Sequence, residues 1–302
     1  MRRPTIHHAG RKLAIAGGLA LMVALLLAPD ALASALVPPD AGGSPNAVQI
    51  SNLYKITLYI ALVIFVGVEG TLVYVLIRFR RRPGAVPAQI HGNTSLEIGW
   101  TVGAALILLL LSIVTFVKLG EIRNPPNSGA NGLSLASNAI YATSETSLPP
   151  NGKSLNIKVN GQQFVWRFTY PGGKNPDGLD APYSYETMVV PTDTTVTLDI
   201  NSQDVVHSWW IPDLGGKFQA VPGATNHTWF KISKPGFYRG QCAFLCGRLH
   251  ANMIAVVHAV PPAQFEAWIA QQEKDLAAAD AAAQVSRANL NKQTGAAAVE
   301  NP

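Results

Sequence analysis

Two apolar runs of about 20 residues each constrain the fold of this 302-residue chain more than any other feature. The first run extends from Ile56 to Ile77 and the second from Ile98 to Val117. A helix of about 20 apolar residues is long enough to cross a hydrocarbon core of ~30 Å. We therefore predict a transmembrane hairpin over residues 53–120, with spans at about 56–77 and 98–117.

A cluster of arginines in the connection between the two runs predicts how the hairpin is oriented. The connection, residues 78–96, contains Arg78, Arg80, Arg81 and Arg82. Positive charges in short loops stay on the cytoplasmic side of a membrane. This connection is therefore predicted to be cytoplasmic, and everything after Lys118 is predicted to lie on the outer, periplasmic face.

The first 33 residues have the pattern of a secretory signal peptide. Four basic residues, Arg2, Arg3, Arg11 and Lys12, precede a short apolar run and the small-residue segment Ala31–Ala33. Cleavage is expected after Ala33 or Ala35, which leaves residues 34–52 as a periplasmic N-terminal segment; an uncleaved anchor remains an alternative. A signal of this kind favours a bacterial protein, and with the two spans it predicts the inner membrane.

The net charge of +5 gives no reason to expect a nucleic-acid partner. The positive excess comes largely from the signal segment and the arginine connection, and membrane targeting accounts for both. The outer part of the chain is close to neutral.

The outer part of the chain has the alternating pattern of β-strands. After a Pro-, Asn- and Gly-rich linker at residues 121–152, apolar residues alternate with polar ones at Leu155, Ile157 and Val159, and again farther on. Short strands separated by Pro-Gly turns predict an all-β domain at residues 153–262, a Greek-key sandwich or barrel. Residues 263–302 are predicted to form a C-terminal helix and a disordered tail, and the Ala-rich part after Lys274 is predicted to be a helix that frays into disorder.

The chain's two cysteines lie close to a histidine and a methionine. Cys242, Cys246, His250 and Met253 fall in one short segment, and His207 lies upstream. A blue-copper site uses one Cys, two His and a weak axial Met, and a second Cys would allow two thiolates to bridge two copper ions. The pattern favours a binuclear copper electron-transfer site, while a disulfide and a zinc site remain alternatives. The other histidines, such as His227 in a predicted polar turn, are not expected ligands.

Several motifs occur in a fixed order around these residues. They are Asp204-Val-Val-His-Ser-Trp-Trp-Ile-Pro, Leu214-Gly-Gly-Lys, Ala220-Val-Pro-Gly-Ala-Thr-Asn and Gly240-Gln-Cys-Ala-Phe-Leu-Cys-Gly. In this order they resemble subunit II of cytochrome c oxidase with its binuclear copper (CuA) domain, from about Asn52 to about Trp268. The resemblance implies a cupredoxin-like fold for the outer domain.

The resemblance also implies a role for each ligand. Cys242 and Cys246 would bridge two copper ions. His207 and the weak axial ligand Met253 would bind one copper, and His250 and the backbone carbonyl of Phe244 would bind the other. The resemblance further implies that Glu97, at the start of the second span, would help load protons from the cytoplasm. The alternative is that Glu97 is an acid that caps the helix.

Two positions depart from the usual pattern of the family. Many members have a glutamate where Phe244 stands, and its carboxylate helps to hold magnesium, so that magnesium site is expected to be absent or altered. Many members also have a tryptophan directly after Gly-x-Gln as the point where electrons arrive. Here Gly161-Gln162-Gln163 is followed by Phe164, and the nearest tryptophan is Trp166. Phe164 and Trp166 are therefore the candidates for the point where electrons enter.

The resemblance implies a function within a respiratory complex. The chain would accept electrons from a cytochrome c and pass them to haem in subunit I, where dioxygen is reduced with proton translocation; subunit III is a further expected partner. The chain itself would contribute electron transfer and no oxygen-reducing residue. Two alternatives remain open: the CuA subunit of another terminal reductase, such as one for nitric oxide, and a membrane-anchored copper carrier for oxidase assembly.

Overall fold

The structure is a computed structural model, and it describes residues 43–80, 83–84, 86, 89–134, 148–172 and 181–294. The predicted signal peptide, its two cleavage positions, Arg81, Arg82 and much of the predicted linker lie outside the described residues. Two apolar helices come first, and a β-domain (residues 155–260) and a long C-terminal helix follow.

Helices α1 (Pro45–Arg78) and α2 (Thr94–Arg123) contain the two predicted spans. Each is long and apolar enough to cross a membrane. Both helices begin before the apolar runs. Pro45 occupies the first turn of α1, where a missing N–H costs nothing, and the Asn93 side chain accepts a hydrogen bond from Leu96 N at the start of α2.

The β-domain contains ten strands among the described residues, and two sheets share one core. The strands are β1 (Leu155–Gln162), β2 (Val165–Thr169), β3 (Tyr183–Tyr185), β4 (Thr187–Pro191), β5 (Thr195–Ser202), β6 (His207–Trp209), β7 (Phe218–Ala220), β8 (Asn226–Lys231), β9 (Gly236–Gln241) and β10 (Ile254–Val260). One sheet has the order β3-β2-β1-β5-β8, a second has β4-β10-β9, and β6 pairs with β7. Strands β1 and β5 are parallel, as are β4 and β10.

The core lies between the two larger sheets. Alternate residues of both sheets are fully buried in one cluster, including Ile157, Phe168, Leu198, Met188 and Val257. The alternating pattern in the sequence thus marks the inward faces of a sandwich. This arrangement confirms the predicted fold class, a two-helix hairpin followed by an all-β domain.

The outer edge of β8 is capped by residues at the start of α1, and the same strand contacts α2. Asn46, near the start of α1, donates its side-chain N–H to the carbonyl of Trp229 at 2.8 Å, and Ser44 Oγ accepts from Lys231 N at 3.0 Å. The Trp229 indole N–H donates to the carbonyl of Ile122 in α2 at 3.0 Å. An open strand edge leaves backbone groups unpaired, so the first two contacts satisfy the edge, and all three join the hairpin to the β-domain.

The segment that follows α2 also lies against the β-domain. Thr195 N donates to Ser128 Oγ at 2.9 Å, and Thr195 Oγ1 donates to the carbonyl of Pro126 at 2.6 Å. Leu133 N donates to Thr194 Oγ1 at 2.7 Å. The described part of the predicted linker therefore packs along the turn into β5.

Helix α3 (Pro262–Thr294) has 33 residues and includes the Ala-rich part after Lys274, which is helical as far as Thr294. Ala has the highest helix propensity, which favours a helix even on an exposed element. One expectation about local structure differs from what is observed. His227 lies within β8, not in a turn, and its ring nitrogen is 2.7 Å from the Asp199 carboxylate on β5.

The buried core predicts a large cost for truncating a central side chain. Leu198 on β5 is fully buried, so Leu198→Ala should lower the unfolding free energy of the excised outer part, residues 128–294, by about 2–5 kcal/mol. Val285→Ala on the exposed part of α3 should change it by no more than about 0.5 kcal/mol. Urea denaturation followed by circular dichroism measures both, and equal effects would contradict this core assignment.

Candidate metal centre

The candidate metal centre is built from one strand and one loop. His207 begins β6, and the metal loop, residues 242–253, joins β9 to β10. Cys242 N donates to the carbonyl of Met253 at 2.9 Å, which closes the loop upon itself. Ala243 N donates to the carbonyl of Ser208 at 2.8 Å, which ties the loop to β6 beside His207.

The predicted ligand side chains converge in this loop. The Sγ atoms of Cys242 and Cys246 are 3.9 Å apart, and one donor atom from each of His207, Cys242 and Cys246 lies within 4.8 Å of the others. Cys246 Sγ is 3.5 Å from His250 Nδ1 and 3.9 Å from Met253 Sδ. His207 Nδ1 is 3.9 Å from Cys242 Sγ.

The two thiols are buried side by side and are not bonded to each other. Both cysteines are free, and their separation of 3.9 Å is far beyond the ~2.05 Å of a disulfide. Burial, followed by the neighbouring Cys242, raises the pKa of the Cys246 thiol to about 11. Two buried thiolates would repel each other, so a soft cation that displaces their protons fits this donor set.

A carboxylate orients the His207 ring. Asp204 Oδ1 is 2.8 Å from His207 Nε2, while the ring's Nδ1 faces the sulfur of Cys242. Burial raises the pKa of Asp204, but hydrogen bonds from His207 and from the backbone N–H groups of Gln163 and Val205 outweigh burial and hold that pKa below its usual value. An ionised carboxylate on Nε2 favours the tautomer with Nδ1 free to bind a metal.

A glycine allows His207 to lie under the first strand. A Cβ at Gly161 would be 3.0 Å from His207 Cδ2 and 3.1 Å from Trp166 Cζ3. Trp166 meets the His207 ring edge to face at 5.8 Å and is fully buried. Its indole N–H has no acceptor within the described parts of the chain.

Phe244 presents its backbone, and not its ring, to the site. Its carbonyl is 3.3 Å from Cys242 Sγ, while 44 % of the residue is exposed. Leu245 is 77 % exposed beside it. The carbonyl therefore points toward the thiols while the loop turns apolar side chains outward.

The remaining candidates lie at different distances from the centre. Phe164, in the turn between β1 and β2, is partly buried and packs close to Gly247 of the metal loop. Glu97 lies in the first turn of α2, where its carboxylate accepts a hydrogen bond from Asn93 N at 3.2 Å. This is the capping contact named above as the alternative to a proton-loading role.

Sequence reasoning missed two residues that touch the ligands. Asp204 had a detectable signal, since a carboxylate close to a metal-binding histidine commonly orients it. Gln163 had none, because it reaches the metal loop from residues far away in the sequence: its side-chain N–H donates to the Cys246 carbonyl at 2.7 Å.

Comparison with known proteins identifies the family from both halves of the chain. Residues 33–117 match the transmembrane domain of cytochrome c oxidase subunit II, and residues 179–260 match the periplasmic domain of the same subunit. The probable cytochrome c oxidase subunit 2 of Rickettsia bellii is 31 % identical over 76 % of this chain and 82 % of its own length.

A second relative and a solved structure are also similar to this chain. Cytochrome c oxidase subunit 2 of Alkalihalophilus pseudofirmus is 31 % identical over 74 % of this chain, and the match spans 59 % of that relative's length. The solved periplasmic domain of subunit II of cytochrome oxidase from Bradyrhizobium japonicum is 30 % identical, covering 40 % of this chain and 95 % of that one, with a TM-score of 0.37. With both of its domains matched, this chain belongs to the cytochrome c oxidase subunit II family.

Proposed function

We propose that this chain is the copper-binding, electron-accepting subunit of a respiratory cytochrome c oxidase. The observation that carries the proposal is the pair of buried, unbonded thiols at 3.9 Å, surrounded by two imidazoles and a thioether. Membership of the subunit II family supports the assignment to an oxidase complex.

Each ligand takes the role that its position allows. Cys242 and Cys246 would hold two copper ions between them; His207 and Met253 would complete one ion, and His250 with the Phe244 carbonyl would complete the other. Held by these residues, a pair of copper ions would supply one-electron redox chemistry. Phe244 offers no side-chain oxygen, so we propose that a magnesium site at this position is absent or altered.

The protein around the ligands keeps their geometry fixed. His207 and Met253 are fully buried, and Cys242 and Met253 belong to the same core as the sheets, so water is excluded from one side of the centre. Asp204 holds the His207 ring in the tautomer that leaves Nδ1 free. A rigid ligand set changes little between oxidation states, which favours fast electron transfer.

The partners follow from this role. We propose that a cytochrome c donates the electron near the metal loop and that haem in subunit I receives it, with dioxygen reduced and protons moved in the complex; subunit III is a further proposed partner. Trp166 is fully buried, so a donor cannot touch it directly, and the partly exposed Phe164 is the better contact. Glu97 remains a proposed proton-loading residue in addition to its capping contact.

Two other functions make different predictions, the first about release of the metal and the second about the partner subunit. A copper carrier for assembly should release its ion readily, whereas these ligands are buried and closed by backbone hydrogen bonds. A terminal reductase for nitric oxide would contain the same copper centre beside a different partner subunit. The haem spectrum of the isolated complex distinguishes a nitric oxide reductase from the proposed cytochrome c oxidase.

The ligand set predicts two coppers in the outer domain. The excised part from Ser128 to Gln272 should bind two copper ions per chain, as measured by metal analysis. Its electron paramagnetic resonance spectrum should show one unpaired electron coupled to two copper nuclei. Cys246→Ser removes one bridging sulfur and should convert the site to a single-copper form or empty it. One copper, or zinc alone, in the unaltered domain would overturn the proposal.

The carbonyl role of Phe244 predicts that its side chain is dispensable for binding. Phe244→Ala keeps the carbonyl, so the domain should still bind two coppers, while greater access of water should shift the reduction potential. Met253→Ala, which removes a proposed ligand, is the comparison and should change the copper spectrum. Loss of copper from a folded Phe244→Ala domain would contradict the carbonyl assignment.

The arginine cluster and the family together support our proposal that the hairpin spans a bacterial inner membrane and that the β-domain lies on its periplasmic side. Alkaline phosphatase, which is active only after export, should therefore be active when fused after Trp268 and inactive when fused near Pro87. The reverse pattern would overturn this orientation.

A further inference from the structure

Gln163 lies outside the proposed ligand set and touches both ligand-bearing segments. Its backbone N–H donates to Asp204 Oδ2 at 2.7 Å, in the segment that leads to His207. Its side-chain Nε2 donates to the carbonyl of Cys246 at 2.7 Å, in the middle of the metal loop. One residue in the β1–β2 turn therefore bridges two segments that are far apart in the sequence.

The Asp204 carboxylate extends this bridge to a ligand. Its second oxygen, Oδ1, is 2.8 Å from His207 Nε2, so hydrogen bonds run from His207 through Asp204 and Gln163 to Cys246. The bonds of Ser202 Oγ and Gln203 N to the Gly161 carbonyl, at 3.2 and 3.1 Å, hold the Asp204 segment against the end of β1. The spacing between a histidine and a cysteine ligand is thus set from outside the ligand set.

The metal loop has a glycine where the turn lies against it. Gly247 has a φ of 137°, a conformation that favours glycine. A Cβ at this position would be 3.0 Å from Gln163 Nε2 and 3.1 Å from Phe164 Cε1. The close approach that the hydrogen bond to Cys246 needs is therefore possible because residue 247 has no side chain.

We infer that Gln163 is a positioning residue for the metal centre, an inference that rests on the copper function proposed above. By holding the Cys246 peptide against the His207 segment, it orders the metal loop before any ion binds. Ligands ordered in advance lose less conformational entropy on binding, so the ion is held more tightly. Gln163 is exposed, and water competes for its hydrogen bond. Loss of this one bond should therefore change the rate at which the metal loop opens by only about fivefold.

The first measurement uses the metal-free full chain in detergent and does not depend on copper. Gln163→Met keeps the length of the side chain and removes the donor, and Gln163→Glu keeps the shape and replaces the donor by a carboxylate. Hydrogen–deuterium exchange of residues 242–253 should become about fivefold faster in both variants. Exchange in β5, an interior strand of the five-stranded sheet, should stay unchanged.

Gln162→Met is the matched control. Gln162 is the neighbouring residue, and its side chain makes no hydrogen bond within the described chain. This variant should exchange like the unaltered protein. Unchanged exchange of the metal loop in Gln163→Met, or an equal increase in Gln162→Met, would overturn the inference. If one Gln163 variant also exchanges faster in β5, its fold is disturbed more widely, and the exchange of the metal loop in the other variant tests the inference.

The second measurement uses the copper-loaded full chain. Copper release to a chelator should be about fivefold faster in Gln163→Met than in Gln162→Met, with the number of coppers at saturation unchanged. Equal release rates would also count against the positioning role. If the unaltered chain binds no copper pair, the proposed function fails, and the exchange measurement on the metal-free chain still decides whether Gln163 orders the loop.

Discussion

The burial of two unbonded thiols side by side is the constraint on which the rest of the centre depends. Their sulfurs are 3.9 Å apart in the core of the β-domain, and burial raises the pKa of Cys246 to about 11. Left alone, such a pair keeps its protons; beside imidazole nitrogens and a thioether, it can exchange them for soft cations. The loop that holds the pair is closed by the hydrogen bond from Cys242 N to Met253 O, so the ligands are brought together by backbone geometry.

The metal loop is continuous with the hydrophobic core. Cys242, Cys246 and Met253 belong to the cluster that fills the space between the two sheets, and His207 begins a strand next to it. Core packing has a density close to that of a crystal, so side chains there have little freedom to rearrange. The domain thus supplies rigidity on the inner side of the centre, while Asp204 and Gln163 supply hydrogen bonds on the outer side.

The same β-domain is attached to the membrane hairpin through one strand edge. Ser44 and Asn46 at the start of α1, and Ile122 near the end of α2, all bond to residues 229–231 of β8. Because the segment after α2 also bonds to Thr194 and Thr195, the domain meets the hairpin at several points. The electron transfer proposed above would benefit from such attachment, because it limits movement of the metal centre relative to the hairpin.

The sequence by itself determined the hairpin, the β-rich class of the outer domain and the chemical types of the ligands. Each of these is a local property: apolar length for α1 and α2, period two for the strands, and the close spacing of Cys242, Cys246, His250 and Met253.

Only the tertiary structure decided which distant residues meet. It buried Trp166 against the His207 ring and brought Gln163 to the Cys246 carbonyl. It also assigned the caps of the β8 edge to residues at the start of α1, and the partner of the Trp229 indole to α2. These contacts join segments tens of residues apart, and neither periodicity nor motif spacing encodes them, because strand order and sheet packing choose the partners.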